Sequence, residues 1–232
     1  GTVPLWLRGD PTRLRQALAT LGGRGECHAL DVRDAAGLRS LARDLAQRHG
    51  RLDLWFNNAG LTLAGEFQQM RAEHLQRMLE VNLLGVLNGC SAAYALMHEQ
   101  GRGHIVNIAS LAGLLPTPGL AGYAMCKHGV VGLTKSTAMD YAKNNIICNA
   151  VCPAGTDTPL TEAAKEKIYA KIAELKAQGI DPSEFMKNSM IAGKTQTLQG
   201  RNATSEEQAS TILYFASDEA RHITGSIVVA DG

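Results

Sequence analysis

A tyrosine and a lysine four residues apart, Tyr123 and Lys127, form the pattern in this sequence with the clearest chemical use. They fall in a segment with helical periodicity, and residues four apart on a helix place their side chains on one face. A phenol loses its proton near pH 10, and a nearby ammonium favours the phenolate. The spacing therefore predicts that Tyr123 acts as a general acid or base at neutral pH, with its pKa lowered by Lys127.

Ser110 lies thirteen residues before Tyr123, at the end of an apolar run that predicts a β-strand. Its hydroxyl could hold a substrate oxygen beside the phenol. A tyrosine and a lysine at this spacing are more often a solvated pair on a helix surface. The catalytic interpretation therefore depends on the rest of the chain.

The elements that must position these residues alternate along the chain, with short apolar runs separated by longer amphipathic segments. This alternation is typical of βαβ units around a parallel sheet. The pattern predicts strands at 3–7, 27–32, 52–60, 104–110, 146–155 and 225–232. It predicts helices at 11–21, 35–49 with Gly50 as its stop, 73–100, 123–142, 161–178 and 205–217, the last with Ser205 as its N-cap.

Length and composition favour one soluble α/β domain over residues 1–232, with 159–203 as a variable substrate lid. The formal net charge of +1 gives no electrostatic attraction to nucleic acid or to an anionic membrane, and we expect neither as a partner. Five scattered cysteines without a C-x-x-C pair predict a reducing, cytoplasmic location. Seven dispersed histidines give no support to a metal site.

Three motifs, taken together, resemble the short-chain dehydrogenase/reductase family. The stretch HIVNIASLAGLLPTPGLAGYAMCKHGVVGLTKSTAMDYA is similar to its catalytic segment, NNAG at 57–60 to a motif after its fourth strand, and VNLLG at 81–85 to the helix that carries a fourth catalytic residue. The resemblance implies a Rossmann-like, doubly wound parallel sheet in three α/β/α layers. It also implies hydride transfer between NAD or NADP and a secondary alcohol or ketone.

The resemblance assigns four catalytic roles. Tyr123 exchanges the proton, Lys127 tunes it and holds the nicotinamide ribose, and Ser110 orients the substrate. Asn82 binds a water that relays protons to the lysine. The alternative for Asn82 is an amide satisfied by local backbone within a helix.

By the same resemblance, a further set of residues contacts the cofactor: Asp31, Val32, Asn58, Ala59, Gly60, Tyr123, Lys127, Pro153, Thr156 and Thr158. Asp31 could instead be a helix N-cap or a turn residue. Ala154 stands where the family usually has a glycine, and an alanine cannot take a positive φ cheaply. The path of the loop after Pro153 is therefore open, with Gly155 as a possible compensation.

The start of the chain departs from the family pattern, which opens with a strand and a glycine-rich turn that holds the cofactor pyrophosphate. Residues 3–7 resemble the second strand, and GGRG at 22–25 lies after a helix, which indicates a helix stop. At the end of that strand Arg8 would favour NADP and Asp10 would favour NAD. The rival hypothesis is a catalytically silent relative that binds a partner or subunit and lacks dinucleotide affinity.

Expectations about partners follow from charge and from the resemblance. Six lysines and an arginine face five acids across 162–201, so we expect a largely neutral alcohol or ketone as substrate. Family members are commonly tetramers built through two long helices, matched here by 73–100 and 123–142. The resemblance thus predicts a homotetramer.

Overall fold

The computed structural model describes residues 19, 25–65, 67–187 and 197–232. Within this part of the chain four parallel strands form one sheet in the order β1-β2-β3-β4. Their bounds are Leu54–Asn57, Gly103–Ile108, Ile146–Pro153 and Ile227–Ala230. Asn57 pairs with Asn107, Ile108 with Val151, and Pro153 with Ala230, so the carboxyl ends of the strands form one edge.

Both faces of the sheet are covered, which explains why its central strands are apolar at successive positions. Ile105 and Ala150 pack on one side into a core shared with the helices that follow residues 34, 71 and 120. Val106 and Val151 point to the opposite side, where they pack with Phe215. This arrangement confirms the predicted three-layer α/β/α class.

Six helices of five residues or more occur in the described residues, and all but the short one at 183–187 match a helix predicted from the sequence. They are α1 Ala35–His49, α2 Ala72–Gln100, α3 Ala121–Tyr141, α4 Pro159–Ala177, α5 Ser183–Lys187 and α6 Ser205–Ala216. Asp34 caps α1 by accepting a hydrogen bond from the Gly37 N–H, and Gly50 ends it at a φ of 85°. Positive φ favours glycine, so the predicted helix stop at Gly50 is confirmed.

Two local predictions are wrong. Residues 27–32 are irregular and pair with no strand among the described residues. A strand needs a hydrogen-bonded neighbour. Among the described strands β1 pairs with β2 and none pairs with 27–32. Residues 3–7, which were expected to be the neighbour of 27–32, lie outside the described residues. The N-cap of α6 is Thr204 and not Ser205, because Thr204 and Glu207 bond to each other's backbone N–H in a capping box.

Other predictions lie outside the described residues. These are the strand at 3–7, the helix at 11–21 apart from Ala19, which is helical, the cofactor-selecting pair Arg8 and Asp10, and most of the glycine cluster at 22–25.

Helix α2 is long and apolar enough to cross a membrane by length and composition, and among the described helices it alone meets that test. Its most apolar 18-residue window has a mean hydropathy of 1.2, and 44% of that window is buried inside the fold. The core helix of a layered α/β domain passes the same test, so this property is weak evidence for a membrane span.

Candidate active site

The carboxyl ends of β1, β2 and β3 bring the predicted site residues to one edge of the sheet. The loop after β1 carries Asn58–Gly60, the turn after β2 carries Ser110, and the loop after β3 carries Thr156 and Thr158. Ligands of open α/β sheets bind outside the carboxyl ends of the strands. The location agrees with the site predicted from sequence.

Tyr123 lies in the first turn of α3. Burial raises the pKa of Tyr123, because it disfavours the phenolate, while the hydroxyls of Ser110 and Thr62 act in the opposite direction. The expectation that Lys127 lowers this pKa is therefore wrong for this geometry. The effect of Thr62 on this pKa was not predicted from the sequence.

Lys127 is one turn further along α3 and only 4% exposed. Its Nζ donates to the Ile108 carbonyl at 2.7 Å and lies 5.6 Å from the centre of the Tyr123 ring. Burial lowers the pKa of Lys127 to about 8. An ammonium has three N–H donors, and within the described residues one of them is used by Ile108.

Ser110 begins the short 3₁₀ turn Leu111–Gly113, and its Oγ accepts a hydrogen bond from the Ala112 N–H at 3.2 Å. This turn packs directly on α3. A Cβ at Gly113 would stand 2.8 Å from the backbone oxygen of Lys127, a distance that side-chain carbons do not adopt. The glycine therefore sets the close approach that brings Ser110 to Tyr123.

Asn82 is fully buried in a π-helical segment of α2, Leu79–Leu84. Its Oδ1 accepts from the Leu61 N–H and its Nδ2 donates to the Leu61 carbonyl, each at 2.8 Å. The Asn82 amide therefore binds backbone groups, as the alternative interpretation predicted. The backbone belongs to a residue 21 positions away and not to the local helix. The water relay assigned to Asn82 stays a prediction.

The NNAG segment divides into a buried and an open part. Asn57 is buried, accepts from Trp55 Nε1 at 2.8 Å and donates to Asn107 Oδ1 at 2.8 Å. Asn58 and Gly60 are exposed and Ala59 is half-buried. The chain therefore anchors β1 through Asn57 and leaves Asn58–Gly60 accessible, as their assignment to the cofactor requires.

The Asp31 carboxylate forms a turn and an ion pair. It accepts from the backbone N–H of Arg33 at 3.0 Å and from the Arg33 guanidinium at 2.7 Å. Arg33 also bonds Glu80 at 3.1 Å, whereas the N-cap of α1 is Asp34. Of the two alternatives for Asp31, the turn is confirmed and the N-cap is wrong, and its contact with adenine stays a prediction.

Val32 is held against α2. Its carbonyl accepts from Asn88 Nδ2 at 3.1 Å, and its side chain lies so close to Gly85 that a Cβ there would stand 2.7 Å from it. Val32 thus joins the turn after residue 31 to the helix that carries Asn82.

The loop after β3 reaches α4 without a residue at positive φ, because neither Ala154 nor Gly155 has one. Gly155 is required for space instead, since a Cβ there would stand 2.5 Å from Asn202 Oδ1. The hydroxyl of Thr156 donates to the Ala154 carbonyl at 3.1 Å. Thr158 forms the capping box of α4, so both hydroxyls hold the loop, and their contact with cofactor stays a prediction.

Comparison with known proteins gives consistent results. A family model described as short chain dehydrogenase matches residues 6–168. A 3beta-hydroxysteroid dehydrogenase of Mediterraneibacter gnavus is 48% identical over 217 residues, which cover 93% of this chain and 78% of that protein. A 3-oxoacyl-[acyl-carrier-protein] reductase of Thermotoga maritima is 34% identical and covers 91% and 78%.

Among solved structures, ElxO with NADP bound is similar with a TM-score of 0.82 at 24% identity. The match covers 100% of this chain and 87% of that one. At this identity the likeness concerns the fold.

Proposed function

Because the chain belongs to the short-chain dehydrogenase family, we propose that it transfers a hydride between NAD or NADP and a secondary alcohol or ketone, with Tyr123 as general acid and base. Family membership confirms the expected class, an NAD(P) oxidoreductase. The observation that carries the finer proposal is the convergence on one phenol: the buried Lys127 Nζ lies 5.6 Å from the centre of the Tyr123 ring, and the turn that Ser110 begins packs on the same helix at Lys127.

The residues at this edge fit the nicotinamide half of such a cofactor. Lys127 is a buried ammonium with donors beyond the one bound to Ile108, and a ribose diol offers oxygens to accept them. Asn58 and Gly60 are exposed in the loop that follows β1. We assign ribose binding to Lys127 and the wall of the cleft to Asn58–Gly60, with Asp31 and Val32 toward the adenine.

The bound cofactor supplies the hydride acceptor or donor. In the oxidation direction the phenolate of Tyr123 takes the hydroxyl proton of the alcohol, and in the reduction direction the phenol returns a proton to the carbonyl oxygen. Ser110 holds that same oxygen. Lys127 Nζ lies 5.6 Å from the centre of the Tyr123 ring, and its assigned role is to bind the nicotinamide ribose beside the phenol.

We propose a hydroxysteroid, or a ketosteroid in reverse, as the substrate class. A relative named for that activity is 48% identical to this chain over 217 residues. Phe67 is 73% exposed and Leu115 is 52% exposed, on two segments joined by a hydrogen bond from the Gly65 N–H to the Gly119 carbonyl. These two exposed apolar side chains suit a large, neutral, apolar alcohol.

Self-association through α2 and α3 is part of the proposal. Leu84 and Leu87 on α2 and Met125 on α3 are exposed apolar side chains. Light scattering should give about four times the 24.8 kDa of one chain, and a monomer would contradict it.

Tyr123→Phe tests the general acid and base. It removes the proton donor and keeps the ring, so turnover of a 3β-hydroxysteroid with NAD or NADP should fall 10²–10⁴-fold. Binding of NADH or NADPH, followed by nicotinamide fluorescence, should be unchanged. Activity within a factor of ten of the parent would refute the role, and absence of any fluorescence change with the parent chain would favour the silent relative instead.

A further inference from the structure

The loop after β3 pairs with the residues that lead into α6. The Ala203 N–H donates to the Gly155 carbonyl at 2.9 Å, and the Asp157 N–H donates to the Ala203 carbonyl at 3.0 Å. Between these two bonds, Thr156 forms an isolated parallel β-bridge with Ala203. Asn202, 45 positions after Asp157, donates from its Nδ2 to the Asp157 Oδ1 at 2.8 Å. We refer to residues 155–157, 202 and 203 as the clasp.

We infer that Asn202 is a positioning residue for cofactor binding, because its amide holds Asp157 and thereby the path of the loop after β3. The inference rests on the proposed function, which requires a dinucleotide at this edge of the sheet. The clasp also joins the two ends of residues 159–203, the predicted substrate lid. The loop and the exit of that segment are therefore bound to each other beside the proposed cofactor cleft.

The partner side of the clasp is itself fixed to the sheet. Thr204 and Glu207 form the capping box at the start of α6. On the same helix the buried Gln208 donates from its Nε2 to the Ala230 carbonyl at the end of β4, at 2.9 Å. That carbonyl also accepts the Ala154 N–H at 3.2 Å, where the loop after β3 begins. The clasp therefore binds the loop to a helix that the end of β4 already holds.

The contact between Asn202 and Asp157 involves a charge. A hydrogen bond to a carboxylate is stronger than one between neutral groups. The same Asp157 oxygen accepts from Lys165 Nζ on α4 at 3.2 Å, and Lys165 also pairs with Glu162. On its other side the Asn202 amide packs on the loop, since a Cβ at Gly155 would stand 2.5 Å from its Oδ1. Asn202 thus both bonds the loop and limits the space around it.

The loop after β3 lies where open α/β sheets bind their ligands, outside the carboxyl ends of the strands. The apparent affinity for a ligand falls with the fraction of time that its binding loop has the competent conformation. A bond that holds the loop in one conformation beforehand reduces the cost of ordering it on binding. Loss of the bond between Asn202 and Asp157 should therefore weaken dinucleotide binding without altering Tyr123 or Lys127.

The test exchanges the donor and the acceptor. Asn202→Asp sets two carboxylates against each other, so NADH or NADPH should bind roughly three- to tenfold more weakly at neutral pH, measured by nicotinamide fluorescence. The KM for the cofactor should rise more than kcat falls. Asp157→Asn should have a smaller effect, because two amides can still form a hydrogen bond. The double variant Asp157→Asn/Asn202→Asp restores an amide opposite a carboxylate and should recover most of the affinity of the parent.

Asn145→Asp is the matched control. Asn145 is exposed, donates from its Nδ2 to the Gly101 carbonyl at 3.3 Å, and directly precedes β3 at the opposite edge of the sheet. Its φ of 56° is one that aspartate also adopts. This variant should bind the dinucleotide as the parent does. The inference is wrong if Asn145→Asp weakens binding as much as Asn202→Asp, if Asn202→Asp binds like the parent, or if the double variant recovers nothing.

Hydrogen exchange of the Asp157 and Ala203 amides gives a second readout that needs neither cofactor nor turnover. Both amides should exchange faster in Asn202→Asp than in the parent and regain their protection in the double variant. Unchanged exchange in Asn202→Asp would refute the positioning role. A parent chain that binds neither NADH nor NADPH would refute the proposed function and the inference together. A parent that binds a dinucleotide with the same affinity as Asn202→Asp would refute the inference alone.

Discussion

Replacing Asn82 by alanine should destabilise the protein and impair catalysis together. The side chain makes two hydrogen bonds of 2.8 Å to the backbone of Leu61 and is fully buried. Asn82→Ala removes both bonds and leaves a backbone N–H and a carbonyl without these partners. The loop that follows β1 then loses its tie to α2.

The magnitude follows from the two bonds. A hydrogen bond contributes about 1 kcal/mol net, and an orphaned buried group costs about 1–3 kcal/mol. Leu61 is half-buried, so water can reach it in part, and we expect a loss of about 2–4 kcal/mol. For a chain of this size that corresponds to a fall in Tm of roughly 5–12 °C.

A matched control lies at the opposite end of β1. Gln100 makes the same pair of bonds to Leu52, accepting from its N–H at 2.8 Å and donating to its carbonyl at 2.9 Å. Gln100→Ala should destabilise by about 1–2 kcal/mol, because Gln100 is half-buried whereas Asn82 is fully buried, and should leave kcat unchanged below the melting transition.

The assay pairs thermal unfolding with kcat and the pH–rate profile at a temperature where both variants stay folded. Asn82→Ala should lower kcat and Gln100→Ala should not. Equal loss of activity in the two variants would show that the effect comes from general destabilisation, and a Tm unchanged in Asn82→Ala would refute the energetic argument itself.

Two further predictions concern α3 and its neighbouring turn. Burial lowers the pKa of Lys127 from 10.5 to about 8. This shift reduces the free energy of unfolding by about 3 kcal/mol. The reduction is fully present below pH 8 and disappears as pH rises toward 10.5. Lys127→Met should therefore raise stability at pH 7, with a gain that shrinks in alkaline buffer, and should weaken NADH binding; lower stability by denaturant unfolding would contradict this. Gly113→Ala should lower the free energy of unfolding by about 1–3 kcal/mol and lower kcat, since its Cβ would stand 2.8 Å from the Lys127 carbonyl oxygen. A kcat equal to that of the parent would show that the turn carrying Ser110 adjusts freely.

Local sequence determined much of the framework. Helical periodicity and the glycine at its end predicted α1 within its observed bounds, because caps and amphipathic spacing are local properties. The spacing of Tyr123 and Lys127 placed both on one face of α3 for the same reason. The predicted strand at 27–32 was wrong, because an apolar pattern does not show whether a neighbouring strand is there to pair with it. None of the described strands pairs with these residues.

Tertiary structure decided the electrostatics and the contacts of the site. From sequence, a nearby lysine implied a lowered pKa for Tyr123, but burial, which no local pattern reveals, raises it. The partner of Asn82 lies 21 residues away, so no spacing rule could find this contact. Sequence motifs identify which groups are present, whereas desolvation and long-range hydrogen bonds depend on what the fold packs around them.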